Sequence, residues 1–78
     1  MKPVEIAPRI VIDPSIRFGK PTIAGTRVPV ELLVGKMAGG MSAEAVADEY
    51  GVTRDDVLAA LAYAAATLAN EQVRALPK

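Results

Sequence analysis

Cysteine and histidine are both absent from this 78-residue chain. That single gap removes disulfides, a zinc cluster, a thiol nucleophile and an imidazole general base together. No apolar run approaches the roughly 20 residues that span a bilayer. The opening MKPVEIAPRI lacks a signal-peptide core, so a cytoplasmic protein without membrane association is expected. No base lies in pattern with a nucleophile, and the adjacent Asp55-Asp56 is accounted for by placement at a helix start. The expectation is therefore a non-enzymatic protein without metal or cofactor.

What the chain does have is apolar residues, at 51 % of the total. The length suits one domain over residues 1–78 and no second core. A chain of this size buries only about 60 % of its unfolded surface. With disulfides and zinc removed, extra stability has to come from self-association or a protein partner, and a homodimer is expected, with an unusually well-packed monomer as the alternative.

The formal net charge of zero conceals an asymmetry. Residues 1–40 carry Lys2, Arg9, Arg17, Lys20, Arg27 and Lys36 against Glu5, Asp13 and Glu31, a balance of plus three. Residues 41–78 carry Arg54, Arg74 and Lys78 against Glu44, Asp48, Glu49, Asp55, Asp56 and Glu71, a balance of minus three. Such a dipole suits steering of an anionic partner towards the N-terminal half, and equally suits an ordinary solvated surface.

The run RIVID, residues 9–13, is β-branched and closed by Asp13-Pro14, which predicts a short strand. In FGKPTIAGTRVPV, Pro21 and Pro29 bias Lys20 and Val28 towards extended backbone, so residues 22–23 and 26–28 are strand candidates around a glycine bend. Residues 9–28 thus form an extended β segment and 29–76 a helical part. Pro29 suits a helix start. Val30, Leu33, Val34 and Met37 then recur with helical spacing until Gly39-Gly40. Ser42 is an N-cap for a short helix with the stripe Ala43, Val46, Ala47 and Tyr50, ended by Gly51. Thr53 to Asp56 reads as a capping box, opening a longer helix through Val57, Leu58, Leu61, Ala65 and Leu68 to about residue 70 or 74.

From residue 42 to 68 these positions have helix-turn-helix spacing. Ala47 sits where two helices cross closely, Gly51 lies four residues on at the turn, and Val46, Tyr50, Val52 and Val57 fall on the shared core. The fold class expected is mainly α: a three-helix, homeodomain-like domain with a short N-terminal β segment. A plain helical hairpin has similar packing. The outward positions of the would-be recognition helix are Thr53, Arg54, Asp55, Leu58, Ala59 and Ala62, of which only Arg54 is basic, a poor set for base or phosphate contact. A second stripe on this helix, Ala62, Ala66, Ala69, Val73 and Leu76, is small and apolar and suits a protein interface, or simply supports helix formation. The segment GKPTIAGTR lacks the spacing of a phosphate-binding loop. Its cations Lys20 and Arg27, with Arg9, Arg17 and Arg54, are the candidates for nucleic-acid or partner contact.

Asp13-Pro14, Gly19-Lys20-Pro21 and Gly25-Thr26-Arg27, followed by three helices, resemble the prokaryotic domain-of-unknown-function family four-three-three over residues 9–68. The resemblance implies a homeodomain-like helical part. It also implies an antitoxin role, because many members are encoded beside a PIN-like ribonuclease: the chain would neutralise a toxin and contact its own operator DNA as a dimer. The tail ANEQVRALPK offers only Glu71 and Arg74 for a toxin site, which moves attention to the apolar face of the last helix. The leading expectation is a type II antitoxin, with a stand-alone regulator or a structural oligomerisation module as alternatives.

Overall fold

The computed structural model describes residues 2–71. Three strands form an antiparallel sheet in the order β1 (Val4–Ala7), β2 (Ile10–Ile12) and β3 (Thr22–Ile23). Three helices follow: α1 (Val30–Ala38), α2 (Ala43–Tyr50) and α3 (Arg54–Asn70). The core lies between the sheet and the helices and is built from Ile10, Ile23, Val30, Leu33, Val46, Ala47, Val57 and Ala60.

The first strand was not anticipated, because VEIA is short and carries only two β-branched residues. It forms because Pro8-Arg9 makes a tight turn that returns the chain onto β2, with a bulge between Glu5 and Ala7. Arg9 occupies the left-handed region at φ 67°, where such a turn favours glycine. The β2 strand pairs Ile10 with Ile23 and Val11 with Thr22, placing Ile10 and Ile23 on the core side. Residues 26–28, expected as a strand piece, form a bend: the Thr26 hydroxyl donates to the Ile23 carbonyl at 2.8 Å and accepts from the Val28 amide at 3.0 Å. That side chain supplies locally what a strand neighbour would have supplied. Pro29 then bridges back to Thr22 and precedes α1 directly.

The helix ends follow the sequence closely. At the end of α1, the Met41 amide donates to the Lys36 carbonyl and the Gly40 amide to that of Met37, with Gly40 at φ 107°. This is a Schellman closure, which needs a residue tolerant of positive φ. The Ser42 hydroxyl caps α2 by accepting from the Ala45 amide at 3.1 Å. Gly51, at φ 67°, ends α2, and two residues later Thr53 and Asp56 cap α3 reciprocally.

The rotation of α3 about its axis differs from the sequence expectation. Val57 and Ala60 face the core and are fully buried, while Ala59, expected to face outward, packs against it with Tyr63. Leu58, expected to face outward, is 38 % exposed, whereas Leu68, expected on the inner stripe, is 66 % exposed and Ala65 is exposed as well. Alanine surrounds the whole helix, so hydrophobic periodicity cannot fix its phase. The capping box and the crossing with α2 fix it instead.

Candidate functional site

Three surface regions hold the residues with chemistry to offer. The first joins the hairpin turn to the start of α3. There Asp56 accepts from the Thr53 amide at 3.0 Å through one oxygen and from the Arg9 guanidinium at 3.0 Å through the other. Asp55 stands 3.8 Å from the same guanidinium. Partial burial opposes ionisation of Asp56, but hydrogen bonds from the Thr53 amide, Arg9 and the Thr53 hydroxyl outweigh it and hold this carboxyl below the usual range. Arg54 is drawn to Glu44 at 2.6 Å, bridging the first turns of α2 and α3. The Glu44 carboxyl is lowered too, by its own backbone amide and then by Arg54. The single basic residue on the outer face of α3 is thus neutralised.

The second region is a groove of about 580 Å³ between α1 and the C-terminal half of α3. Val30, Val34, Gly35, Tyr63, Ala64 and Leu68 make its apolar walls, and the Lys20–Glu31 ion pair, 2.7 Å long, stands at its rim. Gly35 contributes open space, since a Cβ there would meet nothing within 4 Å. Around the helix from this groove lie Ala62, Ala66 and Ala69, all exposed. Val73 and Leu76, the remaining members of that stripe, lie outside the described residues.

The third region is the turn between β2 and β3, with a concavity lined by Pro14, Ser15, Arg17, Phe18 and Arg27. Asp13 anchors it, accepting from the Ser15 amide at 2.9 Å and hydroxyl at 2.7 Å. The hydroxyl, the amide and Arg27 together lower the Asp13 carboxyl below its ordinary value. The Arg17 side chain donates through Nε to the Arg27 carbonyl at 3.4 Å. Among the described residues, Arg17 and Arg27 form no ion pair with a carboxylate, unlike Arg9, Lys20 and Arg54.

The five candidate cations are therefore distributed over separate regions. Arg17 and Arg27 share the β2–β3 turn, Lys20 stands at the groove rim, and Arg9 and Arg54 face carboxylates at the helix starts. Sequence reasoning missed Phe18, which is fully exposed, and it missed the groove. An aromatic directly before the Gly19-Lys20-Pro21 turn was the available signal for the former. The groove had no sequence signal, because it depends on the phase of α3. Among the described residues, no cluster of carboxylates could hold a metal ion, and no helix is long and apolar enough to cross a membrane.

The family model described as "Protein of unknown function (DUF433)" matches residues 10–64. The chain belongs to the DUF433 family. The matched span runs from β2 into α3, so it contains the Arg17–Phe18–Arg27 turn and excludes Thr67 and Leu68 at the groove end. A named protein is similar to it: "Putative antitoxin VapB45" from Mycobacterium tuberculosis is 40 % identical over 52 residues. That match covers 67 % of this chain and 22 % of the relative. The crystal structure of Rv2018 from Mycobacterium tuberculosis is also similar, with 40 % identity and a TM-score of 0.62 over 67 % of this chain and 24 % of that one. This chain thus spans about a quarter of the length of the proteins it matches.

Proposed function

We propose that this DUF433 chain is the partner-binding module of a type II toxin–antitoxin pair. In this reading it is a non-enzymatic, cytoplasmic, single-domain protein that works as a homodimer, neutralises a PIN-like toxin and contacts operator DNA. The observation that carries the reading is the 40 % identity to a relative named as an antitoxin, across 67 % of this chain. The α1–α3 groove supports a protein partner, because an apolar channel with one ion pair at its rim fits the apolar face of a helix or an extended segment. The exposed alanines 62, 66 and 69 support self-association, since small side chains allow close helix approach.

Helices α2 and α3 joined through Gly51 act in this reading as a homeodomain-like helix-turn-helix. Its role is packing more than base reading. Arg54 is held by Glu44, and Asp55 with Asp56 would face phosphates with like charge. Operator contact accordingly falls to the cations of the N-terminal half.

Co-expression with the product of the neighbouring gene tests the proposal. The expected result is a stable complex and relief of the growth arrest that product causes on its own. A pair that neither associates nor restores growth overturns the antitoxin reading. A mass in solution that stays monomeric at every protein concentration overturns the homodimer.

A further inference from the structure

Phe18 is the only phenylalanine in the chain, and its exposure in the fold is 101 % of the reference value. A ring left wholly in water gains nothing from folding. Its backbone is costly as well. Arg17 at φ 53°, Phe18 at φ 56° and Gly19 at φ 81° are left-handed in succession. Non-glycine residues are disfavoured there by contact of Cβ with the carbonyl oxygen, and such strain concentrates where a structure presents a group for use.

The turn is nonetheless tightly held. The Ile16 amide donates to the Asp13 carbonyl at 2.9 Å, that of Gly19 to Ile16 at 3.1 Å and that of Lys20 to Arg17 at 3.1 Å. The fold therefore fixes an aromatic ring in solvent on a rigid turn. Arg17, Arg27, Ser15 and Pro14 line the same concavity as Phe18, and the Arg17 guanidinium is tied to the Arg27 carbonyl. Asp13 is the opposing charge nearby, and its oxygen Oδ1 is already engaged by Ser15.

A protein partner for an exposed phenylalanine would bring an apolar pocket and would be matched by an apolar rim here, but apart from Pro14 the residues around Phe18 are cationic or polar. A ring beside two unpaired guanidiniums instead matches a planar, uncharged π-system carrying an anion. We propose that the Arg17–Phe18–Arg27 turn is a nucleic-acid contact, in which Phe18 stacks on an unstacked nucleobase and the two arginines hold the adjoining phosphates. Aromatic stacking with flanking cations is how single strands are gripped without sequence preference, and how a wedge enters a bent duplex. The inference rests on the nucleic-acid part of the proposed function, which it deepens by naming the contact surface, and it is independent of the toxin part.

The test is fluorescence anisotropy of the full chain with three labelled probes of one sequence: single-stranded RNA, single-stranded DNA and duplex DNA, at 50 mM and 200 mM salt. Saturable binding to at least one probe is expected, and the tightest of the three identifies the source of the base. Phe18→Ala should weaken it by roughly 5- to 160-fold, and Phe18→Tyr should restore it. Arg17→Ala and Arg27→Ala should each reduce the salt slope by about 0.7 on a single strand. Because Phe18 makes no buried contact, its variants should fold, and Phe18→Gly should raise the melting temperature by a few degrees while losing the ligand. Absence of binding to all three probes at 50 mM salt overturns the proposal. So does equal affinity of Phe18→Ala and the parent chain. A Phe18→Ala variant that loses a toxin complex but keeps nucleic-acid binding also overturns it, because the ring would then be a protein contact.

Discussion

Replacing Asp56 by alanine removes two connections at once. One oxygen completes the α3 capping box by accepting from Thr53, and the other receives the Arg9 guanidinium from the hairpin turn, 47 residues away in sequence. Loss of a cap costs about 1 kcal/mol, and loss of a negative charge from a helix N-terminus about 0.3–1 kcal/mol. The Arg9 side chain is 50 % exposed, so its ion pair is worth no more than about 1 kcal/mol after solvent screening. The total is about 2 kcal/mol, or a fall in melting temperature of about 8–16 °C for a domain of this size. Asp56→Asn keeps an acceptor for the Thr53 amide and should lose roughly half as much. A double-mutant cycle with Arg9→Ala isolates the ion pair, whose coupling should largely vanish in about 1 M salt. Because the Asp56 pKa is lowered by folding, its contribution is complete above the unfolded value of about 3.9 and is lost as pH falls through the folded value. Parent and Asp56→Ala should therefore differ fully at pH 7 and converge in acid. Thermal melts followed by circular dichroism measure all of this, and a shift of under about 3 °C at pH 7 refutes the reasoning.

The hydroxyl of Thr22 is fully buried with no hydrogen-bond partner. Thr22→Val should therefore stabilise by about 1 kcal/mol in denaturant melts, and a loss of stability would mean that the hydroxyl is satisfied. Gly51 has open space around a would-be Cβ but sits at φ 67°, so Gly51→Ala should cost about 1–2 kcal/mol through backbone strain alone, with an unchanged denaturant slope. Ala66→Glu should convert the expected dimer to a monomer by light scattering while leaving the monomer fold intact by circular dichroism. A dimer that persists would remove the alanine stripe from the interface. For the groove, Val34→Glu should abolish toxin capture in the co-expression assay with little effect on Phe18-dependent nucleic-acid binding; capture that survives places the toxin elsewhere.

Local chemistry was legible in the sequence because each signal was satisfied within a few residues. Ser42, Gly51 and the Thr53–Asp56 box mark helix ends through bonds spanning no more than five positions, and all three act in the fold as their residue types require. The β2 strand and the extents of α1 and α2 follow from patterns of similar range. The β1 strand was missed because its evidence is a turn, Pro8-Arg9, with arginine where glycine is favoured, and because its pairing with β2 gives the pattern its meaning. The second failure was α3. A helix with alanine on every side has no periodicity strong enough to choose a buried face, so Ala59 and Leu68 fell on the wrong side and the groove beneath Val34 and Tyr63 was invisible.

The candidate site divides in the same way. The basic character of the N-terminal half was determined by the sequence, since charge is a property of residue type. Which cations remain available was decided by tertiary structure, because Arg9, Lys20 and Arg54 meet carboxylates distant in the chain while Arg17 and Arg27 do not. Composition likewise establishes that no thiol or imidazole chemistry is present. That the chain's single phenylalanine stands in water, on a strained turn between two arginines, could be settled only by the fold, because exposure depends on what the rest of the chain leaves uncovered.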